Sequence, residues 1–170
     1  SLKNVPRASK RPARPDTSGQ SMGTRSSDEV DLGRLDGALG FLLRLAQLKT
    51  QARFFEENTG SDFKPGEFTV LWVILRNPGI RQSVLGQKLM IKRAHMTKLV
   101  RALENRGLVT RRIPEDDRRA VELSLSAKAQ TEVGKAENWF FAFEGRIGDP
   151  LSKDEVAQLN VLLRKFLGLA

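Results

Sequence analysis

Hydrophobic residues recur at helical spacing along most of this chain and alternate with polar residues in two short stretches. In residues 26–58, leucine and alanine recur every three or four positions, and Ser27 or Asp28 can cap a helix with acids in its first turn. We therefore predict one long first helix that ends in the loop NTGSDFKPGE, although three glycines weaken it in isolation: Gly33, Gly37 and Gly40.

Three shorter helices are predicted in the middle of the chain. Pro65 lies near the start of the first one, and the turn that begins at Asn77 ends it. A short helix follows over residues 80–90 because its apolar positions are three or four apart. The third covers residues 91–107 and stops at Gly107, since glycine is the residue that most often ends a helix.

Two more helices are predicted after residue 125. Ser126 or Ser124 starts the first of them, and Ser152 with Glu155 three residues later has capping-box spacing for the second. Apolar residues surround much of this last helix and of the first helix in the chain. A chain of this size cannot cover all of them, so we expect the excess to face a second copy in a two-fold homodimer.

The middle of the chain has the order helix, short helix, helix, strand, strand. Residues 108–113 and 120–125 alternate apolar and polar positions, which is typical of a hairpin. This order is the winged helix-turn-helix plan, whose second helix is suited to a DNA major groove. The predicted fold is mainly α with a small β-hairpin wing: a winged helix-turn-helix domain over 63–125 and a helical dimerisation domain made of 28–62 and 126–170.

Positive charge is concentrated on this recognition helix and wing. The net charge is +9, and residues 88–119 contain ten basic residues against four acids. Arginine and lysine donate to guanine or phosphate, Thr97 can meet a thymine methyl or a phosphate, and His95 can serve as a polar recognition or phosphate-contacting residue. The predicted DNA contacts are Lys92, Arg93, His95, Thr97, Lys98 and Arg101 on the helix and Arg118 and Arg119 on the wing.

The wing tip carries both acids and arginines. Its strands can anchor it through Val121 and Leu123, so that the tip projects towards a minor groove. Arg118 or Arg119 would be drawn to the negative potential of a narrow A·T-rich segment. DNA repels a carboxylate, and we therefore expect Asp117 to pair with an arginine or to accept backbone amides, which would hold the tip in shape.

Residues 1–27 are predicted to be a flexible basic tail. They contain six basic residues, one acid and few apolar side chains, so they cannot bury enough surface to offset the entropy of ordering. The tail suits an arm that follows DNA phosphates or enters a minor groove, and it equally suits a solubilising leader.

No residue pattern in the chain favours an enzyme, a metal site or a cofactor. The absence of cysteine excludes disulfides and thiolate chemistry, and one histidine with no tyrosine offers no conventional catalytic relay. No apolar run approaches the roughly 18 residues of a membrane helix, and no apolar signal segment opens the sequence. We therefore expect a cytoplasmic protein that is not an enzyme.

The run KLVRALENRGLVTRRIPEDDRRAVELSLSAKA resembles the MarR family of bacterial transcriptional regulators. Asp117 and Arg119 fall on the Asp-x-Arg of the family's wing, and Leu125-Ser126 stands where the family has Leu-Thr. The resemblance covers about residues 29–168. It implies a homodimeric regulator of double-stranded DNA, predicted to be a repressor of a pseudo-palindromic operator that releases DNA when a small molecule binds.

The recognition helix departs from the family pattern at two places. Thr97-Lys98 and Arg101-Ala102 stand where many members carry Thr-Arg and Asp-Arg. An Asp–Arg pair that braces the helix in those members is therefore missing from these positions. Arg101 adds positive charge instead, so the operator sequence of other members cannot be carried over.

The resemblance also implies a ligand site, because family members often bind phenolic or other aromatic acids between the dimerisation helices and the DNA-binding lobe. The effector would be an aromatic carboxylate or its thioester, and an arginine could meet the carboxylate. The aromatic stretch NWFFAF belongs either to the core and dimer seam or to this pocket. The predicted wall residues are Phe41, Arg44, Arg53, Phe63, Phe68 and Trp72.

Two other functions are compatible with the same residues. A nonspecific architectural DNA binder would use the basic tail and the basic face without reading a sequence. A winged-helix module for protein interaction would offer that face to an acidic partner.

Overall fold

A computed structural model describes residues 26–58 and 62–169. Residues 1–25 of the predicted tail lie outside these described residues. The mainly helical fold with a small β wing is confirmed. The elements, in chain order, are α1 Leu39–Glu57, α2 Glu67–Arg76, β1 Ile80–Arg81, α3 Gln82–Lys88, α4 Arg93–Asn105, β2 Val109–Arg112, β3 Glu122–Leu125, α5 Ala127–Glu144 and α6 Lys153–Phe166.

The first helix begins at Leu39, ten or eleven residues later than the caps Asp28 or Ser27 predicted. Two short 3-10 turns precede it instead, at Ser27–Glu29 and Gly33–Gly37. Gly33 has a φ of +54°, a left-handed conformation that interrupts a right-handed helix, and its N–H donates to the Asp31 carboxylate at 2.8 Å. The glycines that weaken this segment thus outweigh its apolar periodicity.

The core lies where α2, α3, α4 and α5 meet the sheet. Each of these helices contributes apolar side chains to the core, and α2 is covered on most sides, with only Thr69 and Arg76 exposed. Truncating one of the large core side chains to alanine would cost about 2–5 kcal/mol, because the cavity adds to the lost burial. The most deeply buried of them are Leu71, Ile74, Leu85, Met96, Leu103, Leu108 and Leu123.

The sheet has three antiparallel strands in the order β1-β3-β2 rather than the two predicted. In the register, Val109 pairs with Leu125 in β2–β3, and Ile80 pairs with Leu123 in β1–β3. The missed strand has only two residues, which is too short for alternation to reveal it. Its pairing is set by the partner strand: the Gly79 N–H donates to the Leu123 carbonyl at 2.8 Å.

Local capping signals place the last two helices correctly. The Ser126 hydroxyl accepts the Ala129 N–H at the start of α5, and Ser152 forms the predicted capping box with Glu155 at the start of α6. Among the described residues, no helix is long and apolar enough to cross a membrane.

Candidate nucleic-acid interface

Helix α4 has one buried face and one exposed, basic face. Met96, Val100 and Leu103 are buried in the core. All six predicted helix contacts are exposed, from Lys92 to Arg101. Lys92 is the N-cap residue in an extended conformation and makes no side-chain cap bond, so the first amides of the helix can still receive an anion.

The turn between α3 and α4 depends on close packing at Gly86 and on a left-handed backbone at Met90. Gly86 packs so closely that a Cβ there would lie 3.3 Å from the Ile91 carbonyl oxygen and 3.7 Å from Cγ of Met96. The Ile91 N–H donates to the Gly86 carbonyl at 2.9 Å, and Met90 takes a positive φ of 55° to make the turn. Gly86 therefore lets the recognition helix pack tightly on the helix that precedes it.

The wing tip is organised around Asp117. One carboxylate oxygen accepts the Arg119 N–H at 3.2 Å, and the other pairs with the Arg81 guanidinium at 3.2 Å. The Ala120 N–H donates to the Asp117 backbone carbonyl at 3.0 Å. Arg118 and Arg119 are exposed at this tip. Sequence reasoning did not identify Arg81 as the partner, because it lies in the missed strand.

A cleft of about 490 Å³ separates the wing from the recognition helix. Arg93 and Thr97 line it from α4, and Arg111 and Arg119 line it from the wing. Among the described ion pairs, Arg111 pairs with the Glu104 carboxylate at 3.4 Å, whereas Arg93 and Arg119 have no such partner. The cleft is therefore basic. A polyanion that lies across both elements would meet these side chains together.

An aromatic layer lies between α2 and α5. Phe68 is at its centre: its ring centroid is 4.2 Å from that of Phe140, 5.9 Å from Trp72 and 6.1 Å from Phe63. Phe141 meets Trp72 edge-on at 5.1 Å. Three of the predicted ligand-site residues are thus brought together, and two residues of the NWFFAF stretch join them.

The remaining predicted ligand-site residues do not gather in one protomer. Arg53 donates to the carbonyls of Arg146 and Ile147 at 3.2 and 3.3 Å and pairs with Glu57 at 3.4 Å. The hydrogen bond from Arg146 to Glu57, at 2.9 Å, lowers the pKa of the Glu57 carboxyl. Phe41 is half-buried on α1, twelve residues before Arg53, which is about 18 Å along a helix.

Arg44 and His95 lie on two different helices, α1 and α4. Arg44 is exposed on α1, nine residues before Arg53. His95 is exposed on the recognition helix beside Lys92 and Lys98. Within the described ranges, no three His, Cys, Asp or Glu side chains come together as metal ligands.

Comparisons with known proteins agree with this architecture. Residues 63–121 match the family model described as MarR family. A relative from Thauera aromatica, described as a transcriptional regulatory protein for the hcr operon, is 30% identical over 143 residues, which are 82% of this chain and 86% of the relative.

Two solved structures have the same fold. The transcriptional repressor CouR, bound to a 23-mer DNA duplex, is 29% identical with a TM-score of 0.74 over 82% of this chain and 99% of its own. The PcaV regulator of Streptomyces coelicolor, in complex with its natural ligand, is 20% identical with a TM-score of 0.72 over 82% of this chain and 98% of its own. From the family model, the relative and the winged-helix fold together, the chain belongs to the MarR family of transcriptional regulators.

Proposed function

We propose that this chain is a sequence-specific DNA-binding repressor that acts as a homodimer and leaves its operator when a small aromatic acid or a related thioester binds. The observation that carries the proposal is the basic cleft that Arg93 and Thr97 share with Arg119 of the wing. It would allow one duplex to meet the recognition helix in a major groove and the wing in the adjacent minor groove. The similarity to a DNA-bound repressor supports this reading.

The exposed face of α4 supplies the chemistry for sequence reading. Arg101 and Lys98 can donate to guanine acceptors, and Arg93 and Lys92 can contact phosphates at the helix entrance. Arg118 and Arg119 would enter the minor groove, with Asp117 holding the tip in shape through its bond to the Arg119 N–H. Specific reading then depends on the helix, while the wing adds affinity and a preference for a narrow minor groove.

A homodimer would cover the apolar surface that one protomer leaves in solvent. Leu159, Val161, Leu162 and Phe166 are exposed on α6, and four leucines are exposed on α1: Leu39, Leu42, Leu45 and Leu48. Fully burying a leucine side chain stabilises by about 1.5–3 kcal/mol, and these side chains are roughly half exposed, so each would add roughly 1 kcal/mol to association. Two-fold symmetry would place two recognition helices in successive major grooves of a pseudo-palindrome.

The effector would bind against the aromatic layer around Phe68. Flat aromatic rings stack well on such a layer. A pocket between this layer and the dimer helices would couple ligand binding to the spacing of the two recognition helices. The ligand would release DNA if it bound more tightly, by about 1–3 kcal/mol, to a dimer whose two recognition helices are wrongly spaced for the operator. The carboxylate partner would come from Arg44 or Arg53, of α1, with Phe41 of the same helix on the pocket wall.

The first experiment is fluorescence anisotropy with a duplex from the promoter beside the protein's own gene and a scrambled duplex of the same composition. Tight binding to the promoter and weak binding to the scrambled duplex, across a salt series, is the expected result. Lys98→Ala and Arg101→Ala should weaken promoter binding and change its sequence preference. Equal, steeply salt-dependent binding to both duplexes would contradict the proposal and favour a nonspecific architectural binder.

The same assay tests the effector. Benzoic, hydroxybenzoic and cinnamic acids and their thioesters are titrated into the protein–promoter complex, with aliphatic acids of similar size as controls. We expect an aromatic compound to release the promoter duplex from the wild-type protein but not from Trp72→Ala. A lack of promoter binding combined with binding to an acidic protein column would favour the protein-interaction module.

A further inference from the structure

Residues Arg81 and Gln82 connect the wing to the recognition helix. They lie where β1 ends and α3 begins. Arg81 pairs in the sheet with Glu122, and its guanidinium reaches Asp117 at the wing tip. The Gln82 N–H donates to the Val121 carbonyl at 2.8 Å, so the backbone of Gln82 is fixed to the strand that carries the wing.

The side chain of Gln82 points the other way, to the recognition helix. Its Nε2 donates to the Thr97 hydroxyl at 3.3 Å, on the floor of the basic cleft. The same Thr97 hydroxyl donates to the Arg93 carbonyl at 3.0 Å, one turn earlier in α4. Threonine in a helix divides between two χ1 rotamers, and these two bonds together select one of them.

The two bonds decide which part of Thr97 can contact DNA. A hydroxyl has one hydrogen to donate, and that of Thr97 is given to the Arg93 carbonyl. A phosphate oxygen only accepts hydrogen bonds, so Thr97 cannot bind a phosphate while this bond persists. The γ-methyl group remains, and an apolar methyl is suited to the 5-methyl group of thymine in the major groove.

We propose, on the basis of the DNA-binding function above, that Gln82 is a positioning residue for base recognition. It holds the Thr97 hydroxyl on the protein side, so that Thr97 reads a thymine methyl in each half-site. Gln82 itself lies outside the recognition helix and acts through Thr97. Because its backbone is fixed to the wing strand, it also fixes the recognition helix relative to the wing.

The test is a thymine-to-uracil scan of the promoter duplex, which removes one methyl group at a time and leaves base pairing intact. In the wild-type protein, uracil at one thymine position of a half-site should weaken binding about fourfold, the change expected for one buried methyl. Thr97→Ser lacks the contacting methyl and should bind the thymine and uracil duplexes equally. Gln82→Met keeps the length of the side chain without its amide and should lose the same discrimination.

Gln87→Met is the control for the chemical change alone, because Gln87 lies on the same helix while the described hydrogen bond to the Thr97 hydroxyl comes from Gln82. It should keep the fourfold thymine preference, and thermal melting of each variant establishes that it is folded. An unchanged uracil profile in folded Gln82→Met, or a wild-type profile without any sensitive thymine, would overturn the role of Gln82. Either result can occur while the wild-type protein still prefers the promoter duplex, and the proposed function then stands. Equal binding of the wild-type protein to promoter and scrambled duplexes would instead overturn the proposed function itself.

Discussion

The ion pair between Glu67 and Arg106 joins the start of α2 to the end of the recognition helix. Among the described residues, Glu67 is the charged residue that lies buried, with only 5% of its surface exposed. Its Oε2 accepts from the Arg106 guanidinium at 2.9 Å and from the Lys64 N–H at 3.0 Å. Arg106→Met would therefore leave a buried carboxylate with one backbone donor and no opposite charge beside it.

The expected cost of Arg106→Met is about 2 kcal/mol. Removing one partner of a fully buried pair costs about 3–5 kcal/mol, but 35% of the Arg106 side chain is exposed, so water already screens part of the attraction. The Lys64 N–H and the N-terminus of α2 also continue to stabilise the carboxylate. Glu67→Gln should cost about 1 kcal/mol, because Arg106 can turn to water and no charge stays buried.

Urea unfolding followed by tryptophan fluorescence measures these differences. With a slope of about 2 kcal/mol per molar urea, Arg106→Met should lower the midpoint by about 1 M. All proteins are compared at one protomer concentration, since the stability of the proposed dimer would depend on concentration. Arg111→Met is the matched control: Arg111 is exposed to a similar extent, but its partner Glu104 is 38% exposed, and a loss of at most about 0.5 kcal/mol is expected.

The double variant decides whether burial of the carboxylate is the cause. Glu67→Gln combined with Arg106→Met leaves no buried charge, so it should be more stable than Arg106→Met alone by about 1 kcal/mol. Additive losses in the double variant would refute the reasoning. So would an Arg106→Met protein that is as stable as the Arg111→Met control.

Four further results are expected. Gly107→Ala should lower the free energy of unfolding by about 1 kcal/mol, because φ at Gly107 is +69°, which alanine adopts only with strain. No atom lies within 4 Å of an added Cβ, so the loss would come from the backbone alone, and an unchanged urea midpoint would contradict it. Arg146 lowers the pKa of Glu57 from its usual 4.5, so the stability that Glu57 adds is present above that pH and is lost as pH falls through the folded pKa. Glu57→Gln should thus destabilise at neutral pH and match wild type in acid, and a difference independent of pH would contradict this. Arg119→Ala should weaken promoter binding and reduce the slope of log affinity against log salt by about 1. Leu162→Glu should convert the proposed dimer to monomer in sedimentation, and an intact dimer would move the seam away from α6.

The sequence by itself determined the elements whose signals lie within one turn of each other. The amphipathic stripe of Met96, Val100 and Leu103 identified the recognition helix and its exposed basic face. Ser126 or Ser124 marked the start of α5, with Ser126 the cap in the structure, and Gly107 marked the end of α4, where it takes a positive φ. These signals are local, so they survive in any tertiary context that buries the stripe.

The tertiary structure alone decided which distant side chains meet. Asp117 needed a partner, but only folding brought Arg81, 36 residues earlier, to within 3.2 Å of it. Gln82 and Thr97 meet for the same reason, because the two-residue strand β1 exists only through pairing with β3. Such contacts follow from packing across long sequence separations, which periodicity within a single segment cannot encode.

The first helix and the ligand site show the limits of local reading most clearly. Apolar periodicity extended the helix back to residue 28, but the left-handed turn at Gly33 broke it before Leu39. The family resemblance grouped Arg53 with Phe68 in one ligand site, and in the protomer the Arg53 guanidinium donates to carbonyls of the loop after α5. A backbone carbonyl is an acceptor that every residue carries, so only the three-dimensional arrangement determines which one a given arginine meets.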